Sequence, residues 1–215
     1  MTTGMFADRT DAGRRLAEAL RAKKIERPVV VAILRGGVPV GVEIARGLSC
    51  PLKLIVLRKL FIPMNPEAGF GAMAPDGSVS VDEEFVTHLG MGHGDVAEVI
   101  RQVREELKHR HQIYESVSVD DVRARDAILV DDGIAAGYSM TAAARFVRTL
   151  QPRSTRIAVP CAPTDSILRV GQLVDDLLCL RHSSLFPFAV ASFYQHWHDL
   201  TDDEVRVHLA RLGGA

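Results

Sequence analysis

Five short, largely apolar runs recur along the chain, at residues 28–34, 52–57 (interrupted by Lys53), 127–130, 156–161 (after Arg156) and 177–180. Runs this short and continuous suit strands buried on both faces, because a half-exposed strand would alternate apolar with polar residues. Helical spacing fills most intervals. Residues 8–24 carry Ala12, Leu16, Ala19 and Leu20 on one face, and further helical stretches follow Gly37, Ser139 and Thr164. Thr201 followed by Glu204 caps a last helix. Strand–helix alternation of this kind predicts an α/β fold with a doubly wound, mostly parallel sheet.

Residues 60–94 break the rhythm. They hold Pro63, Pro66 and Pro75 and six glycines, and their clearest local signal is a hairpin around Pro75-Asp76-Gly77. A stretch with so little regular patterning reads as a flexible loop with a hairpin insertion. Asp95 and Glu98 are a candidate capping pair for the next helix, whose stripe is Val96, Val99, Ile100, Val103, Leu107 and Tyr114. With no internal repeat or interdomain linker, residues 1–215 read as one domain, with 181–215 as a C-terminal hood or tail.

The overall charge excludes some partners. With 26 Lys+Arg against 27 Asp+Glu, the chain lacks the basic excess of a general nucleic-acid or anionic-membrane binder. The sum hides a segregation, since residues 1–60 hold 12 basic and 5 acidic side chains while 61–100 hold 7 acidic and no Lys or Arg. Cys50, Cys161 and Cys179 are well separated and form no CxxC, which favours structural thiols in a reducing compartment. No apolar run approaches the length of a spanning helix, so the expectation is a cytoplasmic protein.

The chemistry concentrates in ILVDDGIAAGYSM at 128–140. In an open parallel sheet, ligands bind beyond the C-terminal ends of the strands. Asp131 and Asp132 at such an end can bond vicinal hydroxyls or sit beside a divalent cation. The following loop gathers backbone N–H groups at a helix N-terminus, where amides and dipole accept a phosphate. Gly133 and Gly137 permit the tight backbone, and Ser139 adds a hydroxyl. Carboxylates for a sugar and amides for its phosphate make a sugar-phosphate site. An acidic pair at a strand end is also what a solvated turn looks like. A response-regulator receiver would need a later lysine, but none follows Lys108. A dinucleotide fold would carry GxGxxG after its first strand, where LRGGVPVG stands at 34–41.

These residues resemble the type I phosphoribosyltransferases, whose signature is an apolar strand, two acidic residues and a short phosphate loop. LRGG at 34–37 matches the family's pyrophosphate loop after the first strand. Arg-Gly-Gly-Val-Pro at 35–39, Arg58-Lys59 with Asn65-Pro66-Glu67, and the tail from Phe193-Tyr194 to Val205 resemble a branch of predicted bacterial phosphoribosyltransferases of unassigned substrate. The resemblance implies that Asp131 and Asp132 bind the ribose 2′- and 3′-hydroxyls of 5-phosphoribosyl-1-pyrophosphate (PRPP). It places them close to Mg²⁺, the implied cofactor, met directly, through water or through PRPP. Residues 133–139 (Gly133, Ile134, Ala135, Ala136, Gly137, Tyr138 and Ser139) would form the donor loop, with 135–139 cradling the 5′-phosphate. Arg35, Gly36 and Gly37 would meet the pyrophosphate, in a loop where family members often carry a cis peptide. Arg58 and Lys59 would neutralise the leaving group, and the segment after them would be a mobile catalytic loop.

The phosphate loop departs from the family pattern. Many members have Thr where Ala136 stands, and Ala135 and Tyr138 replace flanking residues found in other branches, so Ser139 remains the clear phosphate hydroxyl. Ala135 also lacks the acid that meets the base in 6-oxopurine enzymes. Trp197 with Phe186, Phe188, Phe193 and Tyr194 could form a hood over a flat base or pack ordinarily. His109/His111 and His196/His198 are i,i+2 pairs, which face apart on a helix. The expected activity is Mg²⁺-dependent transfer of 5-phosphoribosyl from PRPP to a nitrogen nucleophile, a small-molecule nucleobase, by a homodimer without nucleic-acid or membrane partners. A second expectation is a non-catalytic sensor of PRPP or a nucleotide on the same fold.

Overall fold

The first strand shows why its sequence is apolar throughout. In a computed structural model that describes residues 5–63 and 65–212, strand β1 spans Pro28–Ile33. Its residues alternate between two cores. Val29, Val31 and Ile33 pack on one side of the sheet with Leu129, Phe146 and Val147. Val30 packs on the other with Leu16, Leu20, Val40 and Ile44. Fully burying one such aliphatic side chain stabilises the fold by about 1.5–3 kcal/mol, so a polar substitution on either face would be felt.

In chain order the elements are α1 (Arg9–Arg21), β1, α2 (Gly37–Leu48), β2 (Leu52–Ile55), β3 (Arg58–Ile62), β4 (Asn65–Met73), β5 (Val79–Val81), α3 (Glu83–His88) and α4 (His93–His111). There follow α5 (Val119–Val122), β6 (Asp126–Val130), α6 (Tyr138–Thr149), β7 (Ser154–Pro163), α7 (Thr164–Gly171), β8 (Asp176–Ser183), a 3₁₀ turn (Val190–Phe193) and α8 (Asp202–Ala210). Five strands form a sheet in the order β2-β1-β6-β7-β8, every pair parallel. The doubly wound parallel core is therefore as expected. Successive strands depart from β1 first to one side, as β2, and later to the other, as β6. This reversal between β1 and β6 opens a crevice at their C-terminal ends, where open α/β sheets bind ligands.

The glycine-rich stretch differs from the expectation of little regular structure. The hairpin at Pro75-Asp76-Gly77 is present, but it joins β4 to β5 in a three-stranded antiparallel sheet with β3. Two glycines sit inside β4 because the neighbouring strands approach closely. A Cβ at Gly71 would lie 2.3 Å from the Ser80 carbonyl oxygen, and one at Gly69 would lie 2.6 Å from the Lys59 side chain. Leu60, Phe70 and Met73 are buried beneath this sheet with Val99, Val103 and Leu107 of α4. Met64 lies outside the described residues, as do the side chains at 66 and 67 from the Asn65-Pro66-Glu67 match. Residues 213–215, the end of the expected tail, lie outside them too.

Helix α4 also starts differently. Its first turn is closed by Asp95, whose carboxylate accepts from the Gly92 N–H at 2.9 Å. Glu98 is not part of the cap and pairs with Arg101 and Gln102 instead. At the C-terminus, Thr201 and Glu204 make the expected reciprocal cap. The two ends of the described chain meet: Phe6 N–H donates to Phe193 O, and Gln195 N–H donates back to Phe6 O. Among the described residues, no helix is long and apolar enough to cross a membrane.

Candidate functional site

The loops after β1 and β6 touch at the crevice. Gly36 has no room for a side chain, since a Cβ there would stand 2.2 Å from Asp132 Oδ2. A Cβ at Gly37 would stand 2.5 Å from the Val130 carbonyl oxygen. The glycine pair after β1 is thus what allows the acidic pair after β6 its position. The peptide between Leu34 and Arg35 is cis.

Asp131 and Asp132 are half-buried, and burial pushes both carboxyls above their usual range. The neighbouring Asp132 charge pushes Asp131 further up. Asp132 is held down in part by Arg9, whose Nε donates to Oδ2 at 2.8 Å. The Asp132 N–H donates to Asp131 Oδ1 at 2.9 Å, and Tyr194 donates its hydroxyl to the Asp132 carbonyl at 2.5 Å.

The acidic pair opens on a cavity of about 560 Å³, within the range of small-molecule sites. Its walls are the whole segment from Asp131 to Met140, with Lys59 and Gly69 of the small sheet, Phe85, and Val190 and Trp197 from the C-terminal segment. Gly137 has φ +83° and starts α6. The amides of the helix's first turn have no intrahelical acceptors and, with the dipole, favour an anion. The chain thereby brings together Asp131, Asp132, Gly133, Ile134, Ala135, Ala136, Gly137, Tyr138 and Ser139 with Lys59 on one cavity.

Other expected residues stand elsewhere. Arg58 turns away from Lys59, as neighbours on a strand must, and pairs with Glu106 of α4. Arg35 lies half-exposed, 3.7 Å from Asp202, which is also 3.7 Å from Arg110. Arg35, Gly36 and Gly37 do not line the cavity; Gly36 abuts it through Asp132 and Gly37 through Val130 and Asp131. The Tyr138 hydroxyl does not face a phosphate: it donates to Asp82 Oδ2 at 3.0 Å, and burial pushes it up to about 12. Ser139 is left as the loop hydroxyl on the cavity.

Three functional candidates escape a reading of the signature alone. Arg9 is buried beside Asp132, and its guanidinium also donates to the His198 carbonyl at 2.9 Å and lies 3.7 Å from the Trp197 ring centre. The signal for it is in the sequence, because residues 9, 12, 16 and 20 share the buried face of α1. Ser166 and Arg169 of α7 bind the carbonyls of Ala135 and Ala136 in the loop after the acidic pair, and only the fold reveals them.

Among the described residues, no group of three or more His, Cys, Asp or Glu forms a metal cage. Mg²⁺ needs none, since it commonly takes one or two carboxylates and completes its shell with substrate phosphates and water. Two carboxylates facing a cavity of small-molecule size fit that mode of binding. Neither histidine pair is a metal cluster, and His198 faces Glu204 at 2.7 Å.

A sequence model of the phosphoribosyl transferase domain matches residues 6–193. A Mycobacterium tuberculosis protein, whose curated name assigns it provisionally as a phosphoribosyl transferase, is 36% identical over 209 residues. That match covers 96% of this chain and 47% of the relative, so the chain spans about half the length of the curated relatives it matches. The crystal structure of TT1426 from Thermus thermophilus superposes with a TM-score of 0.74 at 30% identity, covering 96% of this chain and 98% of that one. AQ2163 from Aquifex aeolicus shares the fold at 11% identity, with a TM-score of 0.51 over 81% of this chain and 74% of the other. With a domain match over most of its length, and with the acidic pair and the loop after it folded onto one cavity, the chain belongs to the phosphoribosyl transferase family.

Proposed function

We propose that the protein binds PRPP with Mg²⁺ and transfers the 5-phosphoribosyl group to a nitrogen nucleophile, a nucleobase, releasing pyrophosphate. The observation that carries this is the common cavity: carboxylates suited to ribose hydroxyls and amides suited to a 5′-phosphate open on one space at the strand-order reversal. Asp131 and Asp132 accept from the 2′- and 3′-hydroxyls, and the first turn of α6 receives the 5′-phosphate. As the bond from C1 to pyrophosphate breaks, positive charge grows on the ribose and negative charge on the departing phosphates. The carboxylates lie on the ribose side, while Lys59 and the amides after β1 answer the phosphates. Mg²⁺, when bound, supplies charge neutralisation at the pyrophosphate. Val190 and Trp197 form the apolar wall against which a flat base rests and from which water is excluded. The protein acts in nucleotide metabolism, in the cytoplasm, as a homodimer. Pyrophosphate release on mixing PRPP, Mg²⁺ and a panel of bases tests the reading; Asp132→Asn turning over like the parent would overturn the role of the pair.

One observation favours a second reading, a non-catalytic sensor of PRPP or a nucleotide. The Tyr138 hydroxyl is committed to Asp82, leaving the phosphate loop poor in hydroxyls. Tight PRPP binding in calorimetry without turnover on any base would favour the sensor.

A further inference from the structure

The phosphate loop has lost side-chain donors, so its grip on an anion rests on how its peptide N–H groups point. Ser166, 4% exposed on the first turn of α7, donates its hydroxyl to the Ala135 carbonyl at 2.7 Å. One turn on, the Arg169 guanidinium donates to the Ala136 carbonyl and lies 3.4 Å from the Ser166 hydroxyl. Two successive carbonyls are therefore drawn toward one helix face. In a planar trans peptide the C=O of one residue and the N–H of the next point to opposite sides. Fixing the carbonyls of Ala135 and Ala136 on α7 turns the N–H groups of Ala136 and Gly137 away from it. Neither Ser166 nor Arg169 lines the cavity, whereas Ala135, Ala136 and Gly137 do, so α7 lies behind the loop.

The geometry points to Ser166 and Arg169 as positioning residues that aim the amides of Ala136 and Gly137 at the 5′-phosphate of the ligand. The positive charge of Arg169 behind the loop adds to the attraction. This assignment rests on the phosphate-site reading of 135–139. It accounts for how a loop with Ala135 and Ala136 keeps an anion site: orientation from α7 replaces hydroxyls within the loop.

The test is PRPP binding with Mg²⁺, measured by calorimetry on the full chain, with ribose 5-phosphate as competitor. Arg169→Met, at an exposed side chain, and Ser166→Ala each weaken PRPP and ribose 5-phosphate by about threefold to tenfold, the worth of one hydrogen bond. Arg169→Lys recovers part of the loss, which a merely structural role would not require. Should Ser166→Ala not fold, the Arg169 pair of variants decides alone. Affinities equal to the parent's in Arg169→Met overturn the assignment, as does an equal loss in Arg169→Lys. A parent from which ribose 5-phosphate fails to displace PRPP overturns the phosphate-site reading itself, so the two failures are told apart by the parent titration.

Discussion

Arg9 and Asp132 stand 123 residues apart in sequence and form an ion pair of 2.8 Å, their side chains 8% and 14% exposed. The same guanidinium holds the His198 carbonyl and stacks on Trp197, so one cation joins the N-terminal helix, the acidic pair and the C-terminal segment. Removing one partner of a buried pair leaves the other charge uncompensated, at a cost of about 3–5 kcal/mol. Arg9→Ala is expected to lose stability of that order in urea denaturation. The Arg9→Ala/Asp132→Asn double variant is expected to lose less than the sum of the singles. Strict additivity would show that the pair is not coupled.

Gly36→Ala tests the contact between the two loops. A Cβ at 2.2 Å forces the Asp132 carboxylate to retreat by nearly an ångström. Displacements of that size at a reacting centre can cost about 100-fold in rate. Pyrophosphate release is expected to fall by that factor while circular dichroism reports an intact fold.

Lys59 and Arg58 separate cleanly. Lys59 lines the cavity and Arg58 pairs with Glu106 outside it. Lys59→Ala is expected to lower turnover by about 10²-fold or more, in line with loss of one preorganised donor to developing negative charge. Arg58→Ala is expected to lose less than about tenfold, an exposed ion pair being worth about 1 kcal/mol at most. The reverse order would mean that Arg58 swings into the site when the donor binds.

Metal dependence should track the donor. With no protein-only cage among the described residues, a chelator is expected to abolish pyrophosphate release without moving the melting temperature of the free protein. A drop in that temperature on chelation would reveal a resident ion.

Asp126 is expected to contribute to the acid limit of stability. It is 1% exposed at the start of β6, and burial alone would raise its pKa. Donors from Arg153, Ser154 and the Glu26 N–H more than reverse this and hold the carboxyl well below its usual range. A carboxyl with a lower pKa folded than unfolded contributes fully above about pH 4, and that contribution fades as pH falls toward the folded value. Asp126→Asn is expected to destabilise by about 3 kcal/mol at neutral pH and to flatten the decline below pH 4. A parallel decline in parent and variant would assign the acid transition to other groups.

The five parallel strands were legible because their apolar runs answer to two buried faces, as Val29 to Ile33 do. The acidic pair and its loop were legible because strand end, carboxylates and glycine fall in consecutive residues. The small sheet was hidden because β4 carries Gly69 and Gly71 where neighbouring strands leave no room for a Cβ, a tertiary demand with no local signal. Arg58 and Lys59 adjoin in sequence, but they open strand β3, whose two-residue period sends them to opposite faces. Arg9 was readable as a charge on an apolar stripe, but its partner was not, since no local pattern spans 123 residues. Ser166 and Arg169 act on carbonyls of another element, and only the packed fold brings these together.

The joining of α1 to the segment around His198 cannot form until late in synthesis. Arg9 and the His198 carbonyl it binds are 189 residues apart, and synthesis at about 5–20 residues per second separates their emergence by about 10–40 s. Only in the last third or so of that interval, once β6 has emerged, can β1 and β6 pair, and until Trp197 follows the cavity lacks a wall. The cavity is thus complete only when the stretch around Trp197 has left the ribosome, and a nascent chain halted before it holds the acidic pair and its loop without that wall.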